Sequence, residues 1–221
     1  MILRKIVLLL LPLFLLLGIT LSQTFTLSYY TDSFEANNIT EATGLGSEEL
    51  EKVAIELIRY LGGLRSDLIF DVTDLKGGVT QAFEDRELLH MVDVRKIFDP
   101  IRIFIMAYPL FLVAVIYSAY KRKNLKQLMI SAAKYVVYPS LVLLVVLVAA
   151  MTIDFNGAFI LFHKLFFRND LWLLNPDTDL LIQMLPEVFF INIVKRILFG
   201  FGAVVVLCMM VLGINRLKEK V

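Results

Sequence analysis

The chain holds two histidines, His90 and His163, and imidazole is the side chain whose ordinary pKa lets it take and give a proton near neutral pH. In the stretch DRELLHMVDVRKIF, three-residue spacing sets Glu87, His90 and Asp93 along one side of a helix, with Val94 and Ile97 close by. A carboxylate one turn from an imidazole fixes its tautomer and stabilises the imidazolium, so Glu87 and Asp93 are candidate orienters of His90. A surface helix with ordinary charged neighbours has the same spacing. His163 sits differently. Phe159, Phe166 and Phe167 flank it at helical spacing, which projects it from the apolar side of an interfacial helix. Desolvation there favours neutral imidazole, the form that accepts a proton. A histidine that only hydrogen-bonds a helix end fits that pattern as well.

Other polar groups stand where charge is expensive. Glu187 lies beside Phe189 and Phe190 and calls for a partner such as Lys195 or Arg196. Arg102, at the mouth of an apolar run, is placed to meet a lipid phosphate or an oxyanion, or simply to snorkel. Cys208 is the single cysteine and lies in an apolar run, which excludes an internal disulfide and a thiolate cluster. No Gly-rich phosphate loop, G-x-S-x-G elbow or H-E-x-x-H occurs, and neither a metal nor another cofactor is expected. The net charge is +1 with Lys and Arg mostly at helix ends, so no nucleic-acid partner is expected.

The elements that must position these groups are membrane elements. Apolar residues make up 58% of the chain and come in blocks, and the mean hydropathy is +0.75, which together mark an integral membrane protein. Four runs approach the about 17 to 25 residues that cross a bilayer: about 6–21, 101–120, 135–151 and 197–214. The first follows Arg4 and Lys5 and reads as a retained helix rather than a cleaved signal peptide. Pro12, Pro109 and Pro139 fall inside runs, where they bend helices that membrane bundles tolerate. Arg4 and Lys5, then Lys121, Arg122, Lys123 and Lys126, then Arg216, Lys218 and Lys220 assign alternate ends to the cytosol, although Lys195 and Arg196 run against that pattern. Both termini are then cytoplasmic, and the outer segments, about 22–100 and 152–194, each carry one histidine.

The first outer segment is expected to fold onto the membrane helices. Leu50, Val53, Ala54, Leu57, Ile58 and Leu61 follow Ser47 at helical spacing and stop at Gly62 and Gly63. Leu64 to Val72 alternates like a strand, with Gly77 and Gly78 as a turn. From about Asp85 a helix should run to Asp99, with Pro100 starting the next. In the second segment Trp172 suits an aromatic belt, Asn175 and Pro176 mark a turn, and Asp177 or Asp179 can cap a short helix. The expected fold is an all-α membrane protein forming one domain over 1–221, with four transmembrane helices, an extracytoplasmic cap of amphipathic helices and room for a short β-hairpin.

The strings HMVDVR at His90 to Arg95, FHKLFF at Phe162 to Phe167 and NPDTDLLIQMLPEVFF at Asn175 to Phe190 resemble the lipoprotein intramolecular transacylase family, Lit. The resemblance runs over essentially the whole chain and is least distinctive from about Asp32 to Gly78. It implies a membrane acyltransferase of Gram-positive bacteria, working at the extracytoplasmic face of the cell membrane. Its implied substrate is a lipoprotein with an amino-terminal diacylglyceryl-cysteine, whose sn-2 acyl group passes to the free α-amine. The product is the N-acyl, S-monoacylglyceryl lyso-form, and the family's candidate catalytic pair carries over onto His90 and His163.

An α-amine with pKa near 7.7 to 8.0 needs only modest help from an imidazole near 6.5. On this reading His90, oriented by Glu87 or Asp93, takes the amine proton while His163 donates to the carbonyl or leaving oxygen; the reverse assignment stays open. Phenylalanines around His163 keep out water that would hydrolyse the ester. Two rivals remain: a metal-dependent membrane hydrolase holding zinc through both histidines and Asp93, and a transporter or structural membrane protein with incidental histidines.

Overall fold

The computed structural model describes residues 2–218, so Lys220 lies outside the described residues. Its helices are α1 (Ile2–Thr24), α2 (Leu27–Ala36), α3 (Ile39–Thr43), α4 (Ser47–Leu61), α5 (Asp85–Lys121), α6 (Leu125–Ile153), α7 (Phe155–Phe166), α8 (Leu180–Met184) and α9 (Glu187–Lys218). Between α4 and α5 stand two short strands, β1 (Asp71–Thr73) and β2 (Val79–Gln81). The chain divides into two compact units. A bundle unit takes residues up to Leu21, Ile103–Asp154 and the chain from Val194; a histidine unit takes Ser22–Arg102 and Phe155–Ile193.

The bundle unit draws on α1, α5, α6 and α9, the four helices among the described residues that are long and apolar enough to cross a membrane. Lipid offers no hydrogen bonds, so a spanning chain must satisfy its backbone internally, as these helices do. Val7 and Leu8 of α1 pack with Tyr108, Val115 and Ala119 of α5 and Leu128 of α6. A second core joins Val136 and Val137 of α6 to Phe201 and Val205 of α9. Tyr108 donates its hydroxyl to the Val7 carbonyl at 2.6 Å, which satisfies a buried polar tip beside the proline-bearing part of α1. Gly200 lets α9 approach α1: a Cβ there would stand 3.3 Å from Ile19 Cγ2.

In the histidine unit, α4 buries Leu50, Val53, Ala54, Leu57 and Leu61 as its spacing predicts, and Ile58 is half-buried. Its end is fixed by Gly63, whose φ of +77° only glycine adopts freely. The Arg102 guanidinium lies where a Gly63 side chain would be and donates to the Leu61 carbonyl. The expected strand over Leu64 to Val72 shrinks to Asp71–Thr73, paired antiparallel with β2 in the register Val72 to Thr80. The reason is Arg65, whose side chain donates to the carbonyls of Asp67 and Ile69 and so takes acceptors a ladder would have used. Asp74 closes the hairpin turn by accepting the Lys76 and Gly78 N–H groups.

The expected break at Pro100 does not occur. The first turns of α5 and the apolar run 101–120 form one continuous helix. Asp99 pairs with Arg95 one turn back (3.8 Å) and with Arg102 on the far side of the proline (2.5 Å). Each such half-exposed pair contributes at most about 1 kcal/mol, while proline costs about 3 kcal/mol in a helix interior. Arg102's second bond, to the α4 carbonyl, and the packing of the surrounding helix must supply the remainder.

Candidate active site

His90 stands in the second turn of α5, and the start of that helix is set by Glu87. This residue occupies the third helical position and returns its carboxylate to the Glu84 N–H at 2.8 Å, half of a capping box. Its other oxygen accepts the Leu181 N–H at 2.6 Å, so one carboxylate caps both α5 and α8. Glu87 is only 1% exposed, and burial raises its pKa against the opposing pull of the two N–H groups.

His163 lies in the last turn of α7. That helix closes with the Phe167 N–H on the His163 carbonyl at 2.8 Å. Asn169 then bends the chain by accepting the Leu171 N–H on its side-chain oxygen at 3.1 Å. The His163 Nδ1 atom lies 2.7 Å from the Phe159 carbonyl oxygen. A carbonyl only accepts, so Nδ1–H donates and Nε2 presents the lone pair.

The two imidazoles meet with ring centroids 6.2 Å apart, tilted by 31°, and are 7% and 8% exposed. Phe167 packs against both, at 5.2 Å from His90 and 5.5 Å from His163. Phe159 (4.2 Å) and Trp172 (4.9 Å) enclose His163 further. His90 Nδ1 is buried with no hydrogen-bond partner among the described residues. Burial, helped by the neighbouring His163 and opposed by Asp93, depresses the His90 pKa to about 4. Burial also lowers that of His163, against the Phe159 carbonyl. Both rings are therefore neutral at pH 7, and the pair can accept a proton at one nitrogen while donating a hydrogen bond from another.

The expected supporting residues are distributed more widely. Neither Glu87 nor Asp93 hydrogen-bonds an imidazole. Asp93 accepts from Lys96 and from Asn169, each at 2.8 Å, and these partners, Lys96 first, hold its pKa below the usual carboxylate range. Arg102 caps α4 and pairs with Asp99. Glu187 accepts from Asn156 at 3.5 Å in the first turn of α9, and Arg196 belongs to the bundle unit. Asp179 precedes α8 without capping it: its carboxylate accepts the Asn175 N–H (2.8 Å) and the Thr178 hydroxyl (2.7 Å), which holds the Asn175–Pro176 turn.

Trp172, expected in an aromatic belt, packs on His163 and forms a wall of the histidine site. Its contact with His163, nine residues back and beyond the end of α7, has no periodic signature. The Asn169 bond to Asp93 was equally hidden, because it joins residues far apart in sequence. No three His, Cys, Asp or Glu among the described residues come together as a metal-holding group, so the zinc reading lacks its donor set.

Four apolar helices and a buried, neutral pair of imidazoles define an integral membrane protein equipped for acid–base chemistry. The sequence profile of "Lipoprotein intramolecular transacylase Lit" matches residues 5–190, and the chain belongs to this family of membrane acyltransferases. Its fold is similar to a solved structure of the membrane integral lipoprotein intramolecular transacylase Lit from Bacillus cereus, at 24% identity, 98% coverage of this chain, 97% of the other and a TM-score of 0.72. Two further structures of the Bacillus cereus protein, with a histidine changed to arginine or to alanine, match at 23% identity and TM-scores of 0.67. They cover 98% of this chain and 93% and 95% of theirs. Comparison with curated proteins returns no match.

Proposed function

We propose that this chain moves the sn-2 acyl group of an amino-terminal diacylglyceryl-cysteine to the α-amine of the same lipoprotein, with His90 and His163 as its catalytic residues. The observation that carries the reading is the approach of two buried, neutral imidazoles within an aromatic wall. Family membership supports the lipoprotein substrate. The basic residues at alternate helix ends support cytoplasmic termini, a histidine pair at the extracytoplasmic face of a bacterial membrane, and lipid as the surrounding partner. Residues 1–221 act on this reading as one membrane domain.

The Phe159 bond favours His163 as the base, with its Nε2 lone pair set toward the amine. The amine nitrogen attacks the sn-2 carbonyl carbon, the C–N bond forms, and the carbonyl π pair moves to oxygen. His163 takes the amine proton. Neutral His90 donates an N–H hydrogen bond to the developing oxyanion, a role neutral imidazole fills where its pKa is depressed. When the intermediate collapses, the C–O bond to glycerol breaks and the leaving oxygen takes the proton. Nothing is gained or lost overall. Holding nucleophile and ester in one molecule avoids part of the entropy cost of meeting, an advantage of up to about 7 to 11 kcal/mol.

The test uses purified protein in vesicles with a synthetic diacylglyceryl-cysteine peptide. Transfer within one molecule leaves the parent mass unchanged and moves the acyl group to nitrogen, which fragmentation mass spectrometry locates. His90→Ala and His163→Ala should each lose about 10²- to 10⁴-fold in rate. An acyl group that stays on glycerol with the wild-type protein refutes the reading, and loss of a free fatty acid would point to a hydrolase.

A further inference from the structure

Beside the histidine pair the same unit opens a cavity of about 350 Å³ between the α5 turn bearing Asp93 and Lys96 and the segment Phe166 to Asn169. That is the low end of the range for small-ligand pockets, about 300–1,000 Å³. One wall is Phe167, the ring that touches both His90 and His163. The cavity therefore begins one ring's breadth from the imidazoles.

Its polar groups are unequal. The Asp93 carboxylate is already engaged by Lys96 and Asn169, and Asn169 spends its own oxygen on the Leu171 N–H. Lys96 is correspondingly neutralised. Arg168 lines the same cavity, is exposed, and makes no hydrogen bond or ion pair with the described residues. A guanidinium with five donors in a fixed fork is left facing a cleft.

We propose that this cavity seats the peptide residues that directly follow the lipid-bearing cysteine, and that Arg168 selects for a carboxylate among them. The proposal rests on the reading of the chain as acting on a lipoprotein's amino terminus. With the α-amine at the histidines, the peptide must leave past one of their walls. Extended chain advances about 3.3–3.6 Å per residue, so the second or third residue reaches beyond the Phe167 ring. Phe166 and Phe167 supply apolar contact, and Arg168 supplies donors for a carbonyl or, bidentately, a carboxylate. An acidic residue there gains the free cation. A lysine meets a like charge.

The experiment uses the full chain in phosphatidylcholine vesicles and two diacylglyceryl-cysteine peptides that differ only in Glu or Lys at the third residue. Wild type should convert the Glu peptide with a kcat/KM about two- to fivefold above the Lys peptide, the worth of one exposed charge pair. Arg168→Glu should invert that preference, and Arg168→Lys should keep its direction. Because Arg168 is exposed and makes no hydrogen bond or ion pair with the described residues, these variants put the fold at little risk, and an unchanged melting temperature checks this. An identical peptide preference in wild type and Arg168→Glu overturns the proposal. So does a mutant effect that ignores peptide charge and appears only when anionic phosphatidylglycerol is added. Failure of wild type to convert either peptide is a different result, and it overturns the proposed activity itself.

Discussion

Acidification should destabilise this protein through His90, by an amount the site geometry sets. The imidazole is buried beside a second imidazole, and its pKa falls from an ordinary 6.5 to about 4. A group whose folded pKa is depressed contributes stability that is fully present above its unfolded pKa and is lost as pH falls through the folded one. The window is therefore pH 6.5 down to 4. At 1.36 kcal/mol per unit, a depression of this size corresponds to about 3 kcal/mol. For a chain of this length each kcal/mol moves Tm by about 2–4 °C, so the His90 contribution is about 6–12 °C. Carboxylates titrate in the same range, which makes the difference between two proteins the informative quantity. Detergent-solubilised wild type and His90→Leu would be melted at pH 7 and pH 4, following emission of Trp172, the single tryptophan, 4.9 Å from the His163 ring. Wild type should lose about 6–12 °C more than the variant over that interval. Equal losses would falsify the assignment of a buried, neutral His90.

Three other perturbations follow from contacts already described. Glu87→Ala strands the Glu84 and Leu181 N–H groups; with part of their bonding offset by the cost of burying the carboxylate, the loss should be about 2–3 kcal/mol, read as a lower Tm with reduced transfer. Gly63→Ala forces a β-carbon into a positive-φ position and onto Arg102; it should cost at least about 1 kcal/mol, and in an Arg102→Ala background, which already lacks the bonds to Leu61 and Asp99, the further cost of Gly63→Ala should shrink to its positive-φ part. Tyr108→Phe deletes the hydroxyl bond to the Val7 carbonyl, costing about 0.5–1.5 kcal/mol in the bundle while leaving peptide preference at Arg168 unchanged.

Hydropathy alone located four membrane helices, because an apolar block long enough to span lipid has no other stable conformation there. The face of α4 was also legible, since burial of Leu50, Val53, Ala54 and Leu57 follows the helical period. So was the chemical interest of His90 and His163, scarce groups that are costly to bury. The sequence alone misread Pro100, where Asp99 and Arg102 join the two sides of a predicted break. It also misread the partners of Glu87. Local spacing placed Glu87 against His90, but the carboxylate found stronger donors in two helix ends.

The sequence by itself determined the four apolar spans and the apolar face of α4, because block length and three- to four-residue spacing are local properties, while α2, α3 and the continuity of α5 through Pro100 were not read from it. Only the tertiary structure decided that the two imidazoles lie 6.2 Å from one another, which nitrogen of His163 keeps its proton, and that Arg168 stands unpaired at the cavity behind Phe167. Those facts depend on groups brought together from distant parts of the chain, where burial and hydrogen-bond competition rather than periodicity choose the partner.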